Sequence, residues 1–360
     1  MRRLLLALLG LAALPAALCG CGSSSAARGV TVMTQNLYYG TDLDPAIGAV
    51  LGGDPDEIVT AVTDAWANVV ATDFPTRAVA LANEIARTRP DLIGLQEAAL
   101  WRSQTPSDAF TMDPTPATTV EYDFVEILRA ALAARKLDYD VVEINAGFDV
   151  EFPRLDPALG LVDVRLTDRV ALLARHDLLA RNVFLSNAQH APFVTNLPLF
   201  PGFEVVQGWA SVDAAIDGHS FRFVTAHLDA DSPDVASAQA AELLAGPLAA
   251  PEVIFGGDIN SDANGGPGAT PAYPLLLGGD AGGAFGDAWL LSGALGDGAT
   301  WGHDALLVDP ASVPDERIDV AVLRGPVEVS HAEVVGNDLA DRVGGLWPSD
   351  HAGLVVTLRP

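Results

Sequence analysis

The stretch Glu252-Val-Ile-Phe-Gly-Gly-Asp-Ile-Asn260 sets the fold that we expect. Val253 to Phe255 is a continuous apolar run, which is typical of a buried strand. Two glycines then let the backbone turn, and Asp258 and Asn260 follow two residues apart, so that they share a face on an extended trace. An isolated Gly-Asp-x-Asn is more often a helix cap or an Asx turn. A buried strand that ends on a carboxylate and an amide can also hold a catalytic site, and the other motifs distinguish the two.

The composition allows a large core but opposes a broad nucleic-acid surface. The chain has 360 residues, of which 49% are hydrophobic, and this is enough for one large α/β domain or two small ones. Its 47 acidic residues outnumber the 20 basic residues, which gives a formal net charge of −27. A wide nucleic-acid footprint needs a basic stripe instead. The excess of carboxylates favours solubility and would concentrate divalent cations near the protein.

The N-terminal residues predict export. Met1-Arg2-Arg3 is a basic start, and the apolar run that follows is too short to span a membrane. The run ends in Leu18-Cys19-Gly20-Cys21, which resembles a bacterial lipobox with Cys21 as the lipid attachment site. We therefore expect a lipoprotein signal peptide at residues 1–20 and a flexible tether at residues 21–29. An ordinary signal peptide that is cut nearby is the alternative.

These features predict a lipid-anchored protein in the bacterial cell envelope, at the outer membrane or on the outer face of the cell membrane. Cys19 and Cys21 are the only cysteines in the sequence. We therefore expect a fold without a disulfide, a cysteine nucleophile or a thiolate metal site. We also expect a monomer that contacts the membrane through its lipid anchor.

Strands alternate with amphipathic helices in the first half of the chain and cluster in the second half. This order predicts one α/β domain at residues 30–360 with mixed sheets. Residues 42–74 predict a surface loop and helix that could form a pocket wall, residues 101–120 an exposed loop, and residues 265–286 a glycine-rich loop. A hairpin is expected around Asp217-Gly218. The predicted strands are 30–36, 91–95, 139–144, 168–175, 209–212, 221–226, 253–255, 317–323 and 353–358, and the predicted helices are 76–88, 122–135 and 233–244.

Polar residues recur at the ends of the predicted strands or inside them. Burying an unpaired charge is expensive, and open sheets build sites where their strands end. Singly, each residue has a structural interpretation: Glu97 could cap the next segment, His227 and His351 could be core histidines, and Asp319 could pair with Arg317. We infer a shared site because the positions coincide with strand ends so often. The set comprises Asn36, Glu97, His227, Asp258, Asn260, Asp319, Asp350 and His351.

These residue types suit metal-assisted hydrolysis of a phosphoester. Oxygen ligands without cysteine favour Mg²⁺ or Mn²⁺ over structural zinc. A histidine held by a carboxylate can deprotonate a water molecule, and a second histidine can protonate the leaving oxygen.

Six segments resemble, in the same order, the motifs of the endonuclease/exonuclease/phosphatase superfamily. This superfamily includes the pancreatic-type deoxyribonucleases, apurinic endonucleases, bacterial sphingomyelinases and inositol-polyphosphate 5-phosphatases. Each segment alone is a weak signal, but together they cover residues 31–358. They are Thr34-Gln-Asn-Leu37, Ile93-Gly-Leu-Gln-Glu97, Val224-Thr-Ala-His-Leu228, Gly257-Asp-Ile-Asn260, Arg317-Ile-Asp-Val320 and Ser349-Asp-His-Ala-Gly-Leu354.

The resemblance implies an α/β fold that is a four-layer sandwich, with two mixed β-sheets face to face and helices outside. It implies that Glu97 binds the metal, with Asn36 beside it, and that Asp350 completes the metal or base cluster. Asp258 would orient the attacking water or help to deprotonate it. Asn260 would hold a phosphate oxygen.

The resemblance also implies an acid and a base. Asp319 would orient His351, and His227 would help the leaving group. Asp168 lies where the carboxylate partner of His227 is expected. Which histidine acts as the base stays open.

We therefore expect an exported hydrolase of phosphoester bonds that uses Mg²⁺ or Mn²⁺ and is similar to a nuclease or a sphingomyelinase. Its substrate could be nucleic acid, a phospholipid head group or a small phosphate ester. The main alternative is a catalytically inactive surface-binding protein on the same scaffold. A hydrolase with a serine nucleophile is a weaker alternative, since the sequence has no Gly-x-Ser-x-Gly motif.

Overall fold

The computed structural model describes residues 29–200, 202–216, 219–278 and 285–359. The expected signal peptide, Cys21 and nearly all of the expected tether lie outside the described residues. No described helix is long and apolar enough to cross a membrane.

The described strands and the described helices are each numbered in the order in which they occur along the chain. The strands are β1 (Val30–Asn36), β2 (Leu92–Gln96), β3 (Leu100–Gln104), β4 (Thr119–Asp123), β5 (Tyr139–Asp156), β6 (Gly160–Arg175), β7 (Val183–Pro192), β8 (Leu197–Phe200), β9 (Phe203–Val205), β10 (Gly208–Ile216), β11 (His219–Ala226), β12 (Val253–Asp258), β13 (Gly286–Asp287), β14 (Asp319–Arg324), β15 (Glu328–Val335) and β16 (Gly353–Arg359). The α-helices are α1 (Asp44–Gly52), α2 (Pro55–Ala71), α3 (Phe74–Thr88), α4 (Phe124–Ala133), α5 (Pro233–Ala245), α6 (Ala272–Gly278) and α7 (Ala288–Ser292).

Two mixed sheets form the middle of the molecule. The first has the order β15-β16-β1-β2-β6-β3-β4, and β5 also pairs with β6. Within it β1 and β2 are parallel, whereas β16 is antiparallel to β1. The second sheet has the order β13-β14-β12-β11-β10-β7, with β11 and β12 parallel. Strands β10 and β11 form the expected hairpin, whose turn at Asp217-Gly218 lies outside the described residues.

The strands contribute to the space between the sheets with one set of alternate residues and to the outer helix layers with the other, because neighbours along a strand point to opposite faces. Val32 of β1 and Ile254 of β12 belong to the buried cluster between the sheets. Met33 of β1 instead packs with Leu81 of α3 on the outside of the first sheet. Phe255 of β12 packs with helix α5 on the outside of the second sheet. The predicted four-layer sandwich is confirmed.

Local capping sets where the helices near the site begin. Helix α5 starts after Ser232, whose hydroxyl accepts the Val235 N–H at 3.3 Å, and Pro233 occupies its first turn. Helix α2 starts after Asp54, whose carboxylate accepts the Asp56 N–H at 2.9 Å. The start of α5 agrees with the predicted helix at 233–244, whereas the start of α2 was not predicted.

The structure differs from the sequence-based expectations in several strands. The expected loop at 101–120 is wrong at both ends, since β3 pairs with β6 and β4 pairs with β3. Strands β5 and β6 are longer than expected, with 18 and 16 residues. Strands β7 and β15 were not expected, and helix α6 occupies part of 265–286. Pairing with distant segments decides these elements, and local periodicity carries little sign of it.

Candidate active site

The residues of the predicted set gather at one end of the two sheets. Because β1 and β2 are parallel, their carboxyl ends bring Asn36 and Glu97 side by side. In the second sheet, Asp258 ends β12 and lies opposite Asp319, which begins the antiparallel strand β14. His227 follows β11 and forms a parallel bridge to Asp258. The topology therefore joins side chains that are far apart in the sequence.

His351 and Asp319 form a buried pair. His351 precedes β16, which starts where the antiparallel β1 ends. Its Nδ1 lies 2.8 Å from Asp319 Oδ2, and the two residues are 4% and 0% exposed. Its Nε2 lies 3.8 Å from Asp258 Oδ2 and 3.9 Å from Asp350 Oδ1. Burial disfavours a charged ring, but Asp319 and Asp350 outweigh it and raise the pKa of His351 well above its ordinary value.

Asp258 lies between the two histidines. Its Oδ2 accepts a hydrogen bond from Asn36 Nδ2 at 3.0 Å, and its Oδ1 accepts the Asn260 N–H at 3.0 Å. The same Oδ2 lies 3.6 Å from Nε2 of His227 and 3.8 Å from Nε2 of His351. One buried carboxylate therefore faces both imidazoles.

Glu97 lies on a strained turn directly after β2. Its φ of 50° is in the left-handed region, which costs a non-glycine residue on the order of 1–3 kcal/mol. Its Oε1 accepts Asn36 Nδ2 at 2.9 Å, and its Oε2 accepts the Tyr39 N–H at 2.9 Å. Burial raises the pKa of Glu97 to about 7, although His227 opposes the shift. A nearby cation would stabilise the ionised form of such a carboxyl group.

Asn36 joins the two carboxylates through its amide nitrogen. Its Nδ2 donates to both Glu97 and Asp258, while its Oδ1 accepts the Tyr38 N–H at 2.9 Å. The Tyr38 N–H fixes this orientation, because it needs an acceptor. Asn36 thus lies beside Glu97, as expected, but its oxygen faces the backbone and its nitrogen faces the carboxylates.

His227 has a different set of partners. Its Nε2 lies 3.0 Å from Nδ2 of Asn260, which also donates to a backbone carbonyl at 2.9 Å. In the described part of the chain, its buried Nδ1 has no hydrogen-bond partner. Asp168, the expected partner, accepts the Tyr39 hydroxyl at 2.9 Å instead. Burial disfavours a charged ring, but the neighbouring carboxylates, with Asp258 the strongest, raise the pKa of His227.

The carboxylates of the site form a group that could hold a divalent cation. Ligand atoms of Asp258, Asp319 and His351 lie within 4.8 Å of one another. Nδ1 of His351 binds Asp319, so Nε2 is the ring nitrogen that remains, and a hard divalent cation prefers carboxylate oxygens to an imidazole nitrogen. The buried Oδ1 of Asp319 has no hydrogen-bond partner among the described residues. Glu97, Asp258, Asp350 and His351 line one cavity together. Such oxygen donors suit hard divalent cations.

A comparison with protein families identifies the scaffold. Residues 33–351, which contain the whole predicted set, match the endonuclease/exonuclease/phosphatase family. This chain belongs to that family. Its members are hydrolases that act on phosphoester bonds.

Solved structures share the family fold at low sequence identity. A family protein from Leptotrichia buccalis C-1013-b is 15% identical, with a TM-score of 0.57 over 92% of this chain and 100% of that chain. A family protein from Bacteroides vulgatus is 16% identical, with a TM-score of 0.55 over 92% and 99%. TDP2 from D. rerio, complexed with a single-strand DNA product, is 16% identical, with a TM-score of 0.53 over 92% and 99%. No curated protein sequence matches the chain.

A buried arginine in this family member was not predicted. Arg77 of α3 donates hydrogen bonds to the carbonyl oxygens of Leu37 at 2.6 Å, Tyr38 at 3.1 Å and Pro348 at 3.1 Å. One guanidinium therefore joins the loop after β1 to the loop before β16. In the sequence, an arginine on an amphipathic helix predicts an exposed face, and no motif marks a guanidinium that binds carbonyl oxygens.

A cavity of about 490 Å³ opens from the candidate catalytic cluster, which comprises Glu97, His227, Asp258, Asn260, Asp350 and His351. Helices α1 and α2 line one side of it, which confirms that residues 42–74 contribute a pocket wall. Strands β5 and β6 and the hairpin β8–β9 line the other sides. The endonuclease/exonuclease/phosphatase scaffold here combines a polar cluster with an adjoining apolar space.

Proposed function

We propose that this protein is an exported, lipid-anchored phosphodiesterase that depends on Mg²⁺ or Mn²⁺. The observation that supports it best is the buried pair of His351 and Asp319, because Nε2 of the histidine faces Asp258 at 3.8 Å. A histidine that is held by one carboxylate beside several others is suited to activate water for attack on phosphorus. A catalytically inactive binding protein, the alternative function, would not need a buried histidine that is held by a carboxylate.

The acidic side chains of the cluster would bind the cation. Glu97 and Asp350 would be ligands, and Asn36 would keep Glu97 in place through its hydrogen bond at 2.9 Å. A bound Mg²⁺ or Mn²⁺ would polarise the phosphoryl oxygens and stabilise the charge that develops in the transition state. With its carboxylate neighbours engaged in this way, His351 would lose protons more readily and Nε2 could act as a base near neutral pH.

The other side chains would position groups and move two protons. His351 would take a proton from the attacking water, and Asp319 would stabilise the imidazolium that forms. Asp258 would orient the water, and Asn260 would donate an amide N–H to a phosphoryl oxygen. As the water oxygen bonds to phosphorus, the bond to the leaving oxygen breaks, and His227 would give that oxygen a proton.

The candidate substrates are nucleic acid, a phospholipid head group and a small phosphate ester. The TDP2 structure with a single-strand DNA product favours nucleic acid. The formal net charge of −27 opposes it, since phosphate backbones are bound through basic side chains.

A parallel assay tests the enzymatic function. The protein is incubated with bis-p-nitrophenyl phosphate, p-nitrophenyl phosphate, single-stranded DNA and sphingomyelin, each with Mg²⁺, with Mn²⁺ or with EDTA. We expect hydrolysis of a diester that EDTA abolishes. In Glu97→Gln, the cation concentration for half-maximal turnover should rise by about tenfold or more, whereas the exposed Glu328→Gln serves as the unchanged control. No turnover of any diester by folded protein with either cation would refute the function.

The lipid anchor is tested separately. We expect the native protein, purified from bacterial membranes as a monomer, to start at a diacylglyceryl-modified Cys21 in mass spectrometry. An unmodified N-terminus at another residue would remove the anchor from the proposal and leave the enzymatic function untouched.

A further inference from the structure

The cavity extends from the catalytic cluster into a space with three apolar walls, which we call the apolar pocket. The walls are helices α1 and α2, strands β5 and β6, and the hairpin β8–β9. The side chains that represent them are Ile47 and Trp66 from the helices, Phe152 and Leu166 from the strands, and Phe200 and Phe203 from the hairpin.

Several apolar side chains of the pocket walls stay partly exposed in the described structure. Helix α1 contains no buried residue, although Ile47, Val50 and Leu51 are apolar. Leu51 is 55% exposed and Phe200 is 39% exposed. Phe200 stacks on Phe203 with a centroid distance of 5.0 Å, which gives the hairpin an aromatic surface. Contiguous exposed apolar surface is typical of a binding groove, so the pocket suits a hydrocarbon ligand.

The charge of the cavity opposes a polyanionic ligand. Among the described residues that line the cavity there is no lysine and no arginine. Asp42, Asp44, Asp229 and Asp231 line it in addition to the catalytic carboxylates. A nucleic acid would bring several phosphates close to these acids without a basic side chain to bind them. An ester with one phosphate and an uncharged remainder avoids that repulsion.

We propose that the apolar pocket binds the hydrocarbon chain of a phosphodiester whose phosphate lies at the catalytic cluster. This inference rests on the proposed function, because the continuity of the pocket with the cluster positions the chain. The cavity volume of about 490 Å³ falls within the range of roughly 300–1,000 Å³ that is usual for small-molecule sites. The substrate class is therefore a lipid-like ester with at least one long apolar substituent.

A series of substrates with increasing chain length tests the pocket. Methyl, butyl, octyl and dodecyl p-nitrophenyl phosphate are compared with Mg²⁺ below their micelle concentrations. Burial of one methylene is worth about 0.8 kcal/mol, which corresponds to about fourfold in affinity. We expect kcat/KM to rise by about 60-fold from the methyl to the butyl ester, and to level off once the pocket is full.

Two matched variants locate the effect in the pocket. Ile47→Asp introduces a carboxylate into the wall formed by α1, so the butyl-to-methyl ratio of kcat/KM should fall towards one. Val70→Asp is the control, because Val70 lies on α2, is 49% exposed and does not line the cavity. It should keep the ratio of the unmodified protein. The ratio is read within each variant, so a partial loss of folded protein cancels, and thermal melting checks the fold.

Three outcomes would overturn the proposal. Hydrolysis of the methyl ester without any chain-length dependence would refute the pocket and leave the proposed function intact. If no ester is hydrolysed, the proposed function fails, and calorimetric titration with methyl-, butyl- and octylphosphonate still tests the pocket. A Kd that does not fall with chain length would then refute it. A higher kcat/KM for single-stranded DNA than for the octyl ester would indicate that the cavity binds a nucleobase instead.

Natural lipids distinguish the source of the chain. Lysophosphatidylcholine carries one hydrocarbon chain and sphingomyelin carries two. Turnover of the first assigns a single-chain lipid to the pocket, and turnover of the second assigns a lipid whose other chain stays outside it. These results identify the lipid after the ester series has shown the chain-length dependence; without that dependence the pocket is refuted whichever lipid is hydrolysed.

Discussion

The two histidines of the site are almost equally buried but differ in what lies behind each ring. His351 is 4% exposed and His227 is 5% exposed, and Nε2 of each faces Oδ2 of Asp258. Nδ1 of His351 binds the carboxylate of Asp319, whereas Nδ1 of His227 has no hydrogen-bond partner in the described structure. A carboxylate stabilises the imidazolium that forms when a histidine takes a proton. The difference favours His351 as the base and His227 as the acid.

The largest expected effect is the loss of the base. His351→Ala should lower kcat per folded molecule by about 10²–10⁴-fold, which is the usual contribution of a general base. Asp319→Asn should also lower kcat, and the double variant should be little worse than the worse single variant, because the two residues act as a unit. Steady-state kinetics give kcat of each variant, and thermal melting shows whether the variant is folded. Normal turnover by folded His351→Ala would transfer the role of base to His227.

A smaller and conditional effect is expected for His227. An acid matters most when the leaving oxygen is strongly basic. His227→Ala should therefore slow the hydrolysis of a dialkyl phosphate much more than that of bis-p-nitrophenyl phosphate, whereas His351→Ala should slow both equally. The comparison of the two substrates in both variants measures this. Equal losses for both substrates in His227→Ala would contradict the assignment of the acid.

The pH dependence of stability should also separate the two histidines in the metal-free protein. Burial opposes protonation, but carboxylates raise the pKa of His351 well above the ordinary value and also raise that of His227. The stability from such a group is complete below the unfolded pKa of about 6.5 and is lost as the pH rises through the folded pKa. His351→Gln should flatten this loss more than His227→Gln in denaturant titrations. An NMR titration that gives His227 a higher pKa than His351 would contradict this expected difference.

The smallest expected effect concerns Tyr39, whose hydroxyl group binds Asp168. Tyr39→Phe removes the hydroxyl that donates to Asp168 at 2.9 Å. Because Asp168 does not bind His227 directly, the variant should lose about 1 kcal/mol of unfolding free energy while kcat changes little. Denaturant unfolding and kinetics with a dialkyl phosphate check this. A large loss of kcat would mean that Asp168 positions His227 after all.

The sequence was informative about the site residues and uninformative about their hydrogen bonds. Asp258 and His351 could be found because buried strands lead directly into them or out of them. The contact between Tyr39 and Asp168 spans 129 positions, and the contact between Arg77 and Pro348 spans 271 positions. Neither has a local pattern, since a tyrosine or an arginine in an amphipathic segment has many alternative partners.

By itself, the sequence determined the alternation of buried faces, the start of helix α5 and the strand ends that carry the polar residues. These features depend on neighbours a few positions apart, so periodicity and capping chemistry contain them. Only the tertiary structure decided the apolar pocket, whose walls come from residues 42–74, 139–175, 197–200 and 203–205. Ile47, for example, has an apolar side chain of the kind that usually lies in a core. Whether such a side chain packs against protein or borders a cavity depends on what lies opposite it, and that is set by contacts between distant segments.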